Sequence, residues 1–272
     1  MARSRVRMLG LAAAAVAAAL SMAVAQQPMA PVNDGQPHGD PPFLLEQGWR
    51  PLLNGKDLSG WVAERERPND WFTTQYVRFE PLLGPTRLTG MRGPSGVILN
   101  GPQGRTANLV TAEKFGDVEL YLEFMIGKGG NSGVYLHGLY EVQIFDSFGK
   151  ADPELTTSDG GAIYHRWIDE KGVGGSRPKQ NACRQPGEWQ SYQIWFRGPR
   201  FDGAGKKIEN ARFVRVLHNG RLVQDNVEVD GPTRAHMDLP EAAENPIMLQ
   251  GDHGPVAFRN IHVRPLRPIV TR

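Results

Sequence analysis

Residues 117–126, DVELYLEFMI, predict the fold more clearly than any other stretch of the chain. Apolar residues occupy every second position from Val118 to Ile126. The positions around and between them carry Asp117, Glu119, Tyr121, Glu123 and Met125. Because successive side chains of a β-strand point to opposite faces, this alternation is typical of a strand with one face on a hydrophobic core.

The same signals continue on both sides of this strand. Residues 190–197 alternate in the same way, and residues 210–229 hold two β-rich runs around Asn219-Gly220, a dipeptide that favours a tight hairpin turn. Further short runs with strand character are residues 71–79, 96–99, 108–111 and 256–263. No segment shows a long helical period. We therefore predict an all-β fold, a two-sheet antiparallel β-sandwich or jelly roll, with the loop-rich residues 160–186 reaching over one end or face.

The start of the chain has the pattern of a secretion signal. Three arginines precede an Ala-rich apolar run over residues 9–24, and Ala23-Val24-Ala25 fits a small-residue cleavage site. We predict a signal peptide over residues 1–25, a periplasmic or secreted location and no transmembrane helix in the mature chain. An uncleaved anchor is disfavoured because the apolar run is short. Residues 26–48 contain five prolines among polar residues and predict an extended linker, followed by one domain over residues 49–268.

Charge and cysteine content narrow the classes of function. The whole chain has 31 basic and 29 acidic residues, and the predicted signal holds three of the arginines and no acid. The mature chain is thus close to neutral, and no basic run with interleaved aromatic residues predicts a nucleic-acid surface.

Cys183 is the only cysteine, so no intrachain disulfide can form. We interpret it as a small buried residue rather than a nucleophile. Nothing in the sequence fixes the oligomeric state.

Residues 129–146, GGNSGVYLHGLYEVQIFD, predict two strands that share a polar face. On the first strand that face carries Asn131, Gly133, Tyr135 and His137. On the second strand it carries Glu141 and Gln143, while Val142 and Ile144 oppose them. An amide, a phenol, an imidazole and a carboxylate on one face suit the binding of a polar ligand or acid–base chemistry on it.

Strand parity constrains the connection between these two strands. Directly paired residues of antiparallel strands lie on the same face. A two-residue turn at Gly138-Leu139 would pair Glu141 with Leu136 on the apolar side. A connection with an odd number of residues, such as 138–140, would pair His137 with Glu141 and Tyr135 with Gln143. We therefore predict an odd connection.

Several motifs, taken in order, resemble one family of domains. The sequence LLNGKDLSGW at residues 52–61 is similar to the opening motif of the 3-keto-disaccharide hydrolase domain family, also known as DUF1080. Further similar motifs follow in order: GGNSGVYL at 129–136, YEVQI at 140–144, GAIY at 161–164, PGEW at 186–189, and DHG at 252–254 leading to FRNI at 258–261. Two positions depart from the family pattern: His165, where Gly is more usual, and Cys183, where a residue such as Ser is common. Neither departure removes a candidate catalytic group.

The resemblance implies a concanavalin A-like jelly roll, bacterial export and activity on sugars already oxidised at C3. A ketone at C3 acidifies the proton at C2, and the glycosidic oxygen at C1 is then beta to the resulting carbanion. Loss of that proton lets the aglycone leave, and water can add back to the enone. Such a site needs a base, a group that stabilises the enolate oxygen and an acid for the leaving group.

The candidate roles follow from residue type and from this resemblance. Glu141 or His253 is the candidate base, and His137, Arg259 or a bound metal is the candidate stabiliser of the enolate. The candidate substrate contacts are Asn131, Tyr135, His137, Gln143, Tyr164, Glu188, Trp189 and Arg259. Glu188-Trp189 could equally pack at the start of the following strand. The sequence identifies no certain cofactor, and it leaves a divalent metal open although no EF-hand, HxH or HxxxH spacing is present.

Two other functions remain open from the sequence. Conventional glycoside hydrolysis by two carboxylates would use Glu141 and Asp146. Strict alternation places these on opposite faces, so a β-bulge between them is required, with carboxyl groups about 5–5.5 Å apart for a retaining mechanism. A non-catalytic carbohydrate-binding module would need only Trp and Tyr side chains on a concave sheet. The expected partner is a carbohydrate in every case.

Overall fold

The computed structural model describes residues 41–64 and 68–267, so the predicted signal peptide and most of the predicted linker lie outside the described residues. Those ranges contain a short helix α1 (Pro42–Leu45), a 3₁₀ turn (Asp152–Glu154) and eighteen strands. The strands are β1 (Arg50–Pro51), β2 (Trp61–Ala63), β3 (Phe72–Phe79), β4 (Leu88–Arg92), β5 (Val97–Leu99), β6 (Leu109–Phe115), β7 (Val118–Ile126), β8 (Asn131–Leu136), β9 (Tyr140–Phe145), β10 (Arg166–Ile168), β11 (Lys171–Val173), β12 (Gln190–Arg197), β13 (Arg200–Phe201), β14 (Lys207–Glu209), β15 (Ala211–His218), β16 (Arg221–Val229), β17 (Asn245–Leu249) and β18 (Val256–Pro265). No helix in the described ranges is long and apolar enough to cross a membrane.

Two antiparallel sheets form a sandwich. The larger sheet has nine strands in the order β16-β15-β12-β7-β18-β5-β3-β4, with β1 paired to β18, and the smaller sheet has the order β2-β6-β17-β8-β9. β10 and β11 form a separate hairpin, as do β13 and β14. The predicted all-β sandwich is confirmed, and the strand runs predicted from alternation correspond to β3, β5, β6, β7, β12, β15, β16 and β18.

The hydrophobic core lies between the two sheets. One cluster of buried side chains joins Leu120, Leu122 and Phe124 of the larger sheet to Val134 and Val142 of the smaller sheet. Since residues two apart share a face, the other residues of β8 and β9 point away from this core. Asn131, Tyr135, Glu141 and Gln143 therefore lie on the outward side of the smaller sheet.

The outer side of β7 is also buried, although it carries acids. Glu119 and Glu123 are almost fully buried and each meets an arginine of β18. Arg264 Nη2 lies 2.5 Å from Glu119 Oε2, and Arg259 Nε donates to Glu123 Oε2 at 2.6 Å. Buried carboxylates are tolerated where a cation pairs with them, so these acids do not mark a solvent-exposed face.

The smaller sheet contains β17, a strand that the sequence pattern does not predict because it includes Pro246. Proline cannot donate to a sheet ladder and is found at strand starts and bulges. In this strand Pro246 pairs only with β6, next to a register shift, and β8 pairs only with Met248 and Leu249. The strand therefore accommodates proline, and it brings the residues after Leu249 beside β8.

Candidate functional site

The β8–β9 hairpin has the odd connection that parity predicts, but in a different register. Three residues, 137–139, join the strands, and Leu136 pairs with Tyr140, Tyr135 with Glu141, and Gly133 with Gln143. The predicted pairs of His137 with Glu141 and Tyr135 with Gln143 are therefore wrong. The turn begins one residue earlier than predicted because His137 and Gly138 both adopt positive φ, 56° and 65°, which ends the strand at Leu136.

His137 lies in the core and not beside Glu141. Its side chain is fully buried, its Nε2 is 3.2 Å from the carbonyl oxygen of Gly116, and its ring packs against Phe196 at 5.0 Å between centroids. Burial lowers the pKa of His137, so the imidazole is held neutral. This placement corrects its predicted role as a group that stabilises an enolate.

The outward side of the smaller sheet, called the polar face below, carries Asn131, Tyr135, Glu141, Gln143 and Gln250. The first four come from β8 and β9. Gln250 follows β17, and its backbone N–H donates to the carbonyl of Gly133 at 2.9 Å. It comes two residues after Met248, which pairs with Tyr135, so its side chain lies on the same face as Tyr135. The sequence pattern missed Gln250 because it missed β17.

Glu141 is the buried carboxyl of the polar face. Only 2% of the residue is exposed. A Cβ atom on Gly133 would lie 2.1 Å from Glu141 Oε1, so the carboxyl occupies space that only a glycine leaves open. Burial, the largest cause, and the negative charge of Asp252 together raise the pKa of Glu141 to about 8, although a hydrogen bond with Tyr135 acts in the opposite direction. A carboxyl with such a pKa exchanges its proton near neutral pH, as general acids and bases do.

A segment that follows β16 covers one side of Glu141. The Glu141 backbone N–H donates to Thr233 Oγ1 at 3.1 Å, and Met237 N–H donates to the carbonyl of Gly138 at 2.9 Å. The Tyr135 hydroxyl donates to the carbonyl of Arg234 at 3.2 Å. Met237 also packs against Met248 and Tyr135, so an apolar strip lies beside the polar groups.

Two amide oxygens of the polar face have no hydrogen-bond partner among the described residues. Asn131 Oδ1 and Gln143 Oε1 are buried and accept no hydrogen bond from any described residue. Buried polar atoms in native proteins are usually satisfied by protein, water or ligand. Hydroxyl groups of a sugar would satisfy both oxygens.

Asp252 and His253 lie at the edge of the polar face. His253 Nδ1 is 2.5 Å from Asp252 Oδ1, and both side chains are partly exposed, 44% for His253 and 31% for Asp252. The loop is held by Asn100, which donates to the carbonyls of Gly251 and Gly254 at 3.0 and 2.8 Å. A Cβ atom on Gly254 would lie 3.8 Å from the carbonyl oxygen of Asn131, and the charge of Asp252 acts on Glu141, so the loop that carries His253 adjoins the polar face.

Tyr164 also joins this site. Its backbone N–H donates to the carbonyl of Glu141 at 3.1 Å, because residues 162–164 run along the free edge of β9 and Ile163 bridges Val142. Paired residues share a face, so the Tyr164 side chain lies on the polar face beside Glu141. The structure thus brings Asn131, Tyr135, Glu141, Gln143, Tyr164 and His253 together.

Asp146 does not lie beside Glu141. The β8–β9 ladder runs without a register shift to Phe145, so the bulge that a pair of these carboxylates requires is absent. Asp146 instead accepts hydrogen bonds from the backbone N–H groups of Gly129 at 2.8 Å and Phe148 at 3.2 Å. Its carboxylate stabilises turns at the end of the hairpin.

Glu188, Trp189 and Arg259 are placed away from the polar face. Arg259 and Trp189 lie on the outer side of the larger sheet, with the Arg259 guanidinium carbon 4.1 Å from the centre of a Trp189 ring. Trp189 packs in a second apolar cluster with Met125 and Ala257. Glu188 closes a turn in which its N–H donates to the carbonyl of Gln185. The packing interpretation therefore holds for Trp189, and Arg259 is paired with Glu123 on the outer side of the larger sheet, away from Glu141.

Cys183 is largely buried beside Phe145 and Gly160. Burial raises the pKa of its thiol to about 11, which keeps it protonated and unreactive. Within residues 41–64 and 68–267, no group of three or more His, Cys, Asp or Glu side chains is placed to hold a metal ion.

Comparisons with known proteins agree with this fold. The chain matches the 3-keto-alpha-glucoside-1,2-lyase-like domain over residues 48–264. It is similar to the crystal structure of a candidate glycosyl hydrolase from Parabacteroides distasonis ATCC 8503, with 27% identity, 81% of this chain and 84% of that chain covered, and a TM-score of 0.54. A second such protein from the same organism has 23% identity, with 80% of this chain and 99% of that chain covered, and a TM-score of 0.49. No curated protein matches the chain. This chain is a carbohydrate-active protein and belongs to the 3-keto-alpha-glucoside-1,2-lyase-like domain family.

Proposed function

We propose that this protein cleaves 3-keto-glycosides, including 3-keto-disaccharides, by removing the C2 proton and expelling the aglycone from C1. The observation that carries the proposal is Glu141, a buried carboxyl with a pKa of about 8 on a sheet face where two buried amide oxygens have no partner among the described residues. The family to which the chain belongs is described as lyase-like, which supports elimination as the first step.

In the proposed step the Glu141 carboxylate takes the proton from C2. The electrons of the C2–H bond first form an enolate with the C3 ketone. The enolate then collapses to a C1=C2 double bond while the C1–O bond to the aglycone breaks. The departing oxygen takes a proton, for which His253 beside Asp252 is the candidate donor. Addition of water across C1=C2 then gives the free 3-keto sugar, so the net reaction is hydrolysis.

The raised pKa of Glu141 suits a base in this chemistry. A proton alpha to a ketone is weakly acidic, and a carboxylate with a pKa of about 8 is a stronger base than an ordinary one. The base must be ionised, so the rate of C2 deprotonation, measured by exchange of the C2 proton with solvent, should rise about tenfold per pH unit below the pKa of Glu141 and level off above it.

Conventional hydrolysis by two carboxylates is the second candidate, and one observation favours it. The charge of Asp252 raises the pKa of Glu141, so a second acid lies within electrostatic range. In that mechanism Glu141 would act as the protonated acid, and activity would fall as the pH rises above about 8. The two candidates thus predict opposite pH dependence on the alkaline side.

The deciding experiment compares aglycone release from a glucoside and from its 3-keto derivative. We expect release from the 3-keto form alone, slower release when C2 carries deuterium, and a loss of at least about a thousandfold in Glu141→Gln. Asp146→Asn serves as the matched control and should keep wild-type turnover. Wild-type turnover by Glu141→Gln would overturn the assignment of the base, and equal release from the parent glucoside would favour the second candidate.

We also propose that the protein acts outside the cytoplasm. The support is the arginine, apolar and Ala-Val-Ala pattern of residues 1–25. N-terminal sequencing of the protein recovered from the cell envelope or medium should give Gln26 as the first residue. Recovery of the full-length chain from the cytosol alone would contradict this localisation.

A further inference from the structure

We propose that Tyr164, His165, Trp167 and Arg234, together called the aromatic rim, bind the leaving-group ring of the substrate, a second hexopyranose. This inference rests on the proposed function, because it assumes that the 3-keto ring lies at Glu141. It adds the residues of a subsite for the second sugar.

The aromatic rim leads outward from Glu141. Tyr164 is hydrogen-bonded to the Glu141 carbonyl through its backbone. Its ring stacks on His165 with 4.2 Å between centroids and an interplanar angle of 28°. The next ring is Trp167, 6.0 Å from His165. Exposure increases along this path, from 2% at Glu141 to 47% at Trp167, so the rings connect the buried carboxyl to the protein surface.

Trp167 presents an open ring face at the outer end of the rim. It lies on β10, in the hairpin that stands apart from both sheets. The guanidinium carbon of Arg234 lies 3.9 Å from the centre of a Trp167 ring and covers one face. Even with this contact, 47% of Trp167 is exposed. A large aromatic surface held in place by a cation and left open is typical of a recognition site.

Arg234 links the rim to the groups around Glu141. Its backbone N–H donates to the carbonyl of His165 at 2.9 Å, and its carbonyl accepts the hydroxyl of Tyr135 at 3.2 Å. The backbone of Arg234 therefore joins His165 of the rim to Tyr135 of the polar face through two hydrogen bonds. Its exposed guanidinium keeps N–H donors that sugar hydroxyls can accept.

The chemistry of the substrate identifies what reaches Trp167. A 3-keto ring at Glu141 has its C1 bond directed to the leaving group, so the next ring outward is the aglycone. A hexopyranose with equatorial hydroxyls presents C–H groups on its faces and hydroxyls at its edge. The faces suit an open indole ring and the edge suits a guanidinium, as in ligand sites that combine apolar surface with a few polar groups.

The chain offers a matched control for this Trp–Arg pair. Trp195 and Arg215 form a similar contact, with the guanidinium carbon 5.7 Å from a Trp195 ring centre. They lie on β12 and β15 of the larger sheet, away from the polar face. Trp195→Ala therefore removes a comparable aromatic group without touching the proposed subsite.

The experiment measures KM for two substrates, a 3-keto-disaccharide with a glucosyl leaving group and methyl 3-keto-α-glucoside. In Trp167→Ala we expect the ratio of the disaccharide KM to the methyl glycoside KM to rise roughly five- to tenfold, the size of a lost aromatic contact. Trp167→Phe should recover part of the loss, and Trp195→Ala should keep the wild-type ratio. An unchanged ratio in Trp167→Ala would overturn the inference.

A binding measurement separates this inference from the proposed function. The parent disaccharide lacks the C3 ketone and serves as an unreactive probe in a tryptophan fluorescence titration. We expect a saturable change in the wild type and in Trp195→Ala, and none in Trp167→Ala. If no 3-keto substrate is cleaved, the proposed function fails while this titration still decides the subsite; the same fluorescence change in all three proteins would refute the subsite.

Discussion

At the scale of single residues, Glu141 and Gly133 form one unit. Glu141 is buried on a face where a side chain at position 133 would overlap its carboxyl. A buried carboxyl is stable only in its neutral form unless a cation pairs with it. Burial thus keeps the Glu141 carboxyl protonated near neutral pH. The carboxyl fits in this buried position only because Gly133 has no side chain.

The raised pKa of Glu141 predicts how stability depends on pH. The carboxyl has a pKa of about 8 in the fold against an ordinary value of 4.5, so between these values the folded protein holds a proton that the unfolded chain releases. The stabilisation is complete below about pH 4.5 and is lost as the pH rises through 8, on the order of 5 kcal/mol in all. Thermal unfolding of Glu141→Gln should therefore depend less on pH between 5 and 9 than that of the wild type. Asp238→Asn, on an exposed carboxylate, is the control; the same pH dependence in Glu141→Gln and the wild type would contradict the raised pKa.

Gly133→Ala tests the space around the carboxyl. The added Cβ would lie 2.1 Å from Glu141 Oε1, so Glu141 must move, and catalysis depends strongly on small displacements. We expect kcat to fall at least about tenfold. Gly203→Ala, where an added Cβ meets no atom within 4 Å, should leave kcat unchanged. Full activity in Gly133→Ala would show that the position of Glu141 is not critical.

At the scale of elements, the β8–β9 hairpin decides which candidate residues meet. The period of two put Tyr135, Glu141 and Gln143 on one face in both the predicted and the observed register. The choice between registers depended on which residues form the turn, and His137-Gly138 does so with two positive φ angles. Alternation alone does not reveal where a strand gives way to a turn, so the sequence did not predict that His137 leaves the polar face.

His137→Asn distinguishes a structural role from a catalytic one. Asparagine tolerates the positive φ at this position, but it loses the ring contacts with Phe196 and leaves a cavity. The free energy of unfolding, measured by urea denaturation, should fall by about 2 kcal/mol or more. The folded fraction should keep its kcat and KM. A large loss of kcat without a loss of stability would restore His137 to the site.

At the scale of the whole molecule, the two sheets differ in what their outward faces do. The outer side of the larger sheet buries ion pairs between β7 and β18, including Arg259 with Glu123. The outward side of the smaller sheet leaves amide oxygens for a ligand. The two faces point in opposite directions in a sandwich, so one chemical group cannot serve both.

Arg259→Met tests this division. It would leave Glu123 buried without the cation that lies 2.6 Å away, which costs about 3–5 kcal/mol. Urea denaturation should show that loss, while KM and kcat of the folded protein stay at wild-type values. Arg50→Met breaks an exposed pair with Glu113 and should cost less than about 1 kcal/mol. A raised KM with unchanged stability would instead assign Arg259 to substrate binding.

The sequence by itself determined the β-sandwich, the family and the face on which Glu141 lies. These follow from local rules, because the direction of a side chain on a strand repeats every two residues and short motifs keep their order along the chain. The tertiary structure alone decided which polar groups surround Glu141. The residues that the fold adds to the surroundings of Glu141 come from about a hundred residues away in the chain: Gln250, Arg234 and Asp252. The residues that the fold places elsewhere are Asp146 in turns, His137 in the core and Arg259 on the opposite sheet. Such contacts depend on register and on the packing of whole sheets, which no local pattern contains.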